Sequence, residues 1–154
     1  MRLPRCLPLT FCLSLCACAT APRGSAATSW GSTMSEVGRR FELIGLATHA
    51  GRLELAAYEL GEIDELFTDT LPGASLPKEG HPEVLGSLRT TFATQGFSGL
   101  KRALAAGDQA KALDAFGATA RECNACHLAS GHVFIEVPLV AGERVPRVDR
   151  PVAP

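Results

Sequence analysis

From residue 32 onward, apolar side chains recur at the spacing of helices. Met34, Val37, Phe41, Ile44 and Thr48 follow one another in steps of three and four, which places them on one helix face. Ser32 or Thr33 stands where a helix cap belongs, and Glu36 lies three residues beyond Thr33. Ala50-Gly51-Arg52 breaks the pattern. A second face follows in Leu53, Ala56, Ala57, Leu60, Ile63 and Phe67, with Glu and Asp opposite. Leu71-Pro72-Gly73 and the stretch from Pro77 to Pro82 read as a loop. A third run passes through Val84, Leu85, Leu88 and Phe92; Gly96 and Gly99 bend or interrupt it before Leu100 to Ala106 continue. Gly107-Asp108 opens the last helix, whose inward positions are Ala112, Leu113, Phe116, Ala120 and Cys123.

A faint internal echo supports this division. Ala47-Thr48-His49-Ala50-Gly51-Arg52, followed by Ala56, resembles Ala103-Leu104-Ala105-Ala106-Gly107-Asp108, followed by Ala112. In each a glycine at a helix end joins two helices. Two such hairpins predict an all-α fold, with an up-and-down four-helix bundle as the simplest packing. Beyond Gly131 the chain changes character. Val133 to Val140 is apolar and rich in β-branched residues, and Pro138, Pro146, Pro151 and Pro154 punctuate the end. This predicts an extended Pro-rich tail over residues 131–154, laid on the surface, with Phe134 and Ile135 as its anchors.

The amino-terminal stretch has no polar face. Arg2 and Arg5 precede an uncharged apolar run over residues 7–19, too short to span a bilayer and followed by small residues. It reads as a signal peptide, residues 1–17. Residues 18–31 then form a tether rich in Ala, Ser and Thr, and residues 32–130 the helical domain. Leu15-Cys16-Ala17-Cys18 resembles a bacterial lipobox, which makes Cys18 a lipidation candidate and implies a lipoprotein anchored to the outer membrane from the periplasm. Ordinary cleavage at Ala17-Cys18-Ala19 leaves instead a free periplasmic protein. Under the lipoprotein reading, Cys6, Cys12 and Cys16 leave with the signal and only Cys123 and Cys126 remain in the body, so no disulfide framework is called for.

Composition narrows the rest. Hydrophobic residues make up 46%, charged residues 20% and aromatics 6% of the 154 residues, enough apolar surface for one core of helices. The formal charge is −1, and no dense basic stripe offers a surface to nucleic acid.

The chemistry is concentrated in Cys123-Asn124-Ala125-Cys126-His127, which is Cys-x-x-Cys-His, the attachment signature of c-type haem. Two thiols at this spacing reach the two vinyl groups of one porphyrin, and the adjacent imidazole lies under the iron as axial ligand. The site expected is therefore one covalent haem c on Cys123 and Cys126, with His127 as proximal iron ligand. Two other readings of the cysteines compete. A redox dithiol normally opens a helix, where the dipole lowers a thiol pKa, whereas this pair sits at a helix's far end. A zinc module would use Cys123, Cys126, His127 and His132.

Over about residues 32–130 the chain resembles the class II cytochromes c, the four-helix family that includes cytochrome c′. The resemblance rests on Cys123-Asn124-Ala125-Cys126-His127 at the carboxyl end of a helical pattern. It implies a haem near one end of a bundle and either electron transfer or the binding of small gases such as nitric oxide. Cytochrome c′ commonly carries an Arg shortly after its haem His; here Leu128-Ala129-Ser130-Gly131 follows, and the Pro-rich tail is additional. Both departures favour the electron carrier.

The sixth coordination position separates these roles. In an up-and-down bundle the start of the first helix lies beside the end of the fourth, which makes Met34 the candidate distal ligand. His49 is fifteen residues further along and about 22 Å away at about 1.5 Å per residue, which excludes it. His81 and His132 stay open, as does an iron with no sixth ligand. Arg39 and Arg40 are candidates to pair with haem propionates, against the commoner role of solvated helix charges. Trp30 reads as an interfacial anchor. No acid–base pair or nucleophile accompanies the motif, so a non-enzymatic protein with a redox partner is expected.

Overall fold

The structure, a computed structural model, describes residues 28–143. The signal peptide, Cys18 and most of the tether lie outside the described residues, as do Pro146, Pro151 and Pro154. The fold is all-α. Among the described residues five α-helices span Trp30–His49 (α1), Leu53–Glu65 (α2), Pro82–Thr91 (α3), Ser98–Ala105 (α4) and Gln109–Ala129 (α5).

Helix α1 starts earlier than the spacing of its apolar face implies. Ser29 is the cap: its side chain accepts from the Ser32 backbone N–H, and Ser32 returns a bond to the Ser29 backbone. Trp30 N–H also donates to Ser75 O, and Ser75 N–H to Thr28 O. Residues 28–31 therefore belong to the fold rather than to a tether. Glu36 takes no part in capping and pairs with Arg39 and Arg40 instead.

The two turns of the internal echo are the same motif. Gly51 N–H donates to Thr48 O and Arg52 N–H to Ala47 O; Gly107 N–H donates to Leu104 O and Asp108 N–H to Ala103 O. Each helix end thereby satisfies its last carbonyls and turns the chain back. The Asp108 side chain then caps α5 by accepting from Lys111 N–H.

Helix α2 packs on α1 and α4, and α5 packs on α4 and α1. The directions follow from named pairs. Arg40 on α1 meets Glu59 at 2.8 Å and Glu62 at 3.1 Å on α2, so the two helices run in opposite senses from their shared turn. Gln109 at the start of α5 donates to the Thr48 and His49 carbonyls at the end of α1, at 2.9 and 3.1 Å. Ile44, Ile63 and Leu100 have no exposed surface, and small residues (Ala56, Ala112 and Ala120) let the helices approach closely between them.

The third run is not one helix. After α2 and after α3 the chain widens into π-helical segments, Leu66–Thr70 and Phe92–Gly96. Gly96 explains the second: a Cβ there would stand 2.5 Å from the Phe92 ring. The two segments bring Phe67 and Phe92 together, with ring centroids 5.7 Å apart, and Phe97 meets both edge-on at 5.5 and 5.4 Å. No helix of the described residues is long and apolar enough to cross a membrane.

The chain after Gly131 differs from the expectation of apolar anchors. Phe134 is 79% exposed and Ile135 is also exposed; the seated residues are Val137, half-buried, and Ala141, which enters the core.

Candidate functional site

Helix α5 carries Cys123, Cys126 and His127 in its last two turns, about one turn apart along one side. Gly131, at φ +80°, ends the helix there: its N–H donates to Leu128 O, and His132 N–H donates to His127 O at 2.8 Å. Only glycine takes that backbone conformation readily, and the result sends the chain back across the motif.

A cavity of about 350 Å³ opens at this end of the molecule, within the range of small-molecule and cofactor sites. Cys123, Cys126 and His127 line it from α5, and Trp30 and Met34 from the start of α1. Phe41, Phe67, Phe92, Phe97 and Phe116 form much of its apolar wall. The returning chain adds Ile135, Val137 and Pro138.

Both thiols are free. Burial pushes the Cys123 thiol up to about 12, with the nearby Cys126 and Glu122 adding to the rise, and burial also raises Cys126. These are protonated thiols, the opposite of the depressed thiolate that a redox dithiol uses. His127 is shifted the other way: burial lowers its pKa, against the pull of its bond to Ile135, and the nearby His132 adds to the lowering. A neutral imidazole is the form that binds iron.

The His127 tautomer is determined by its partner. Nδ1 lies 3.1 Å from the Ile135 carbonyl oxygen, which can only accept, so Nδ1 carries the proton and Nε2 keeps its lone pair. Two thiols able to form thioethers, an imidazole with a free Nε2 and an aromatic-walled cavity between them fit a covalently held haem.

The other candidates fall into two groups. Met34 lines the cavity and is partly buried. His132 lines it as well, its Nδ1 3.3 Å from Ser130 Oγ. His81 is exposed, with Nδ1 3.3 Å from Glu83, and does not line the cavity; exposed His49 sits at the opposite end of α1. Arg39 and Arg40 do not line it either: Arg39 is taken up by Glu36, and Arg40 by Glu36, Glu59 and Glu62. The cationic side chain at the cavity wall is Arg89, which donates to Phe67 O at 3.3 Å. Sequence reasoning missed it, because α3 points Arg89 inward only through its bond to a π-helical segment. Trp30 belongs to the cavity wall rather than to an interface. Among the described residues no three His, Cys, Asp or Glu side chains gather where one ion could hold them.

Comparison with known protein families, curated proteins and solved structures finds no match to this chain.

Proposed function

We propose that this chain is an exported monohaem c-type cytochrome that carries electrons, built as an up-and-down four-helix bundle of α1, α2, the bent α3–α4 unit and α5. The observation that carries the reading is the convergence of Cys123, Cys126, His127 and Met34 on one aromatic-walled cavity. When bound, the haem supplies a one-electron iron couple.

The residues have separate tasks. Cys123 and Cys126 would hold the group by thioethers, which would let a small domain retain it after export. His127 offers Nε2 as the proximal ligand while Ile135 holds its Nδ1 proton. Met34 is the proposed distal ligand, because α1 and α5 run in opposite senses and bring its side chain to the same cavity. Arg89 is the proposed counter-charge to a propionate. The phenylalanine wall would give a group held in the cavity apolar surroundings. The export signal and Cys18 belong to the same proposal: a periplasmic protein, held to the outer membrane by a lipid on Cys18.

The absorption spectrum of protein made by cells that assemble c-type haem tests the reading. A sharp reduced α-band that stays with the polypeptide through acid–acetone extraction supports it. A broad, unsplit band would move the function to five-coordinate gas binding, and no haem band would overturn the proposal.

A further inference from the structure

Between the two cysteines, thioether chemistry makes no demand on side-chain identity, yet Asn124 is fully engaged. Its Nδ2 donates to Val137 O at 2.9 Å, and its Oδ1 accepts from Val137 N–H at 2.7 Å. Only one orientation of the amide satisfies both bonds, since a carbonyl needs a donor and an N–H an acceptor. The side chain thus pairs with the returning backbone as a neighbouring strand would.

Two residues before Val137 stands Ile135, whose carbonyl holds the His127 Nδ1 proton. Burial of its own surroundings does not set the position of that carbonyl, because Val133 and Phe134 are 66% and 79% exposed and Ile135 is 42% exposed. It is held from one side by the turn that links Ile135 N–H to His132 O, and from the other by the bonds to Asn124. Further on, the Leu139 carbonyl lies so near Gly117 that a Cβ there would stand 2.9 Å from it. The returning chain is seated along α5, and Asn124 is its clasp nearest the imidazole.

We propose that Asn124 is a positioning residue for His127: it fixes the chain at Val137 so that the Ile135 carbonyl keeps the imidazole proton on Nδ1 and Nε2 free for iron. This rests on the haem-binding reading above. A hydrogen-bond partner of this kind sets both the orientation and the basicity of a ligating imidazole.

The test compares the haem-loaded full chain with Asn124→Leu, which removes both bonds, and Val137→Pro, which removes the donor from the tail side. The expected result is that Asn124→Leu keeps its haem and that both variants keep their helical circular dichroism. Their His127 Nδ1–H should exchange with solvent on the order of tenfold or more faster. Their midpoint potential should rise, because a less basic imidazole stabilises ferric iron less. Unchanged exchange and potential in the folded variants would overturn the proposal. So would loss of helicity in both, which would make Asn124 a structural residue only; if one fails to fold, the other decides. A wild-type chain that purifies without haem refutes the haem reading by itself. The clasp is then read from the imidazole 15N shifts of the haem-free chains: an Nδ1–H tautomer in wild type and a mixture in the variants supports it, and equal populations overturn it.

Discussion

The ring of Phe41 on α1 stacks on that of Phe116 on α5, with centroids 4.4 Å apart and planes 15° from parallel. Met34 lies about two turns before Phe41, and Cys123 about two turns after Phe116. Because the helices run in opposite senses, both steps lead to the same end, so the stack sets the register that brings Met34 and Cys123 to one cavity. Phe116→Ala should cost about 3–5 kcal/mol in denaturant unfolding. Gly45→Ala should also destabilise, by about 1–3 kcal/mol, because its Cβ would stand 2.9 Å from the Phe116 ring.

Covalent attachment predicts a graded outcome at the motif. Cys123→Ser and Cys126→Ser should each keep haem through one remaining thioether, and the double variant should lose its colour on acid–acetone extraction. His127→Ala should remove the proximal ligand and most of the holoprotein. Intact mass and the extracted fraction measure each case, and colour lost from wild type would contradict the whole series.

Met34 as distal ligand has a spectroscopic signature. Thioether ligation stabilises ferrous iron, so the midpoint potential should be fairly high for a c-type haem. The ferric protein should show a weak charge-transfer band near the red end of the visible spectrum. Met34→Ala should abolish that band and open the iron to carbon monoxide. If wild type already binds carbon monoxide rapidly, Met34 is a wall residue only. If His132→Ala or His81→Ala alone changes the spin state, that histidine is the ligand and the potential should be lower.

Glu36 predicts a specific acid sensitivity. Hydrogen bonding from Arg39, with the charges of Arg39 and Arg40, holds its carboxyl well down, at about 2 against an ordinary 4.5. A carboxyl whose pKa is depressed by folding stabilises the native state above its ordinary pKa, and that contribution fades as pH falls through the folded value. Wild type should therefore lose stability between pH 4.5 and about 2 more steeply than Glu36→Gln. The difference should shrink in high salt, since the pair is solvent-accessible. Thermal melts across that pH range measure it.

Lipidation at Cys18 predicts membrane association. Cys18→Ala should release the protein from the membrane fraction and leave its absorption spectrum unchanged. Wild-type protein found wholly soluble in the periplasm would establish ordinary signal cleavage instead.

What the sequence determined by itself is what a few adjacent residues can encode. Helical periodicity, the glycines at positions 51 and 107 and the Asp108 cap are local, and they foretold the all-α class and both tight turns. The five residues from Cys123 to His127 are contiguous, so a signature that needs two thiols and an imidazole in series was legible without any fold. The tertiary structure decided everything that depends on distant residues meeting. Trp30 and Arg89 join the cavity wall only because a π-helical segment and the bridge to Ser75 turn them there. Arg40 is claimed by Glu59 and Glu62 across a helix pair, a choice that no spacing along one helix reveals. The tail's hold on the site passes from the Asn124 side chain to the Val137 backbone thirteen residues away. Such a bond leaves no periodic trace, because any residue could have supplied the backbone half of it.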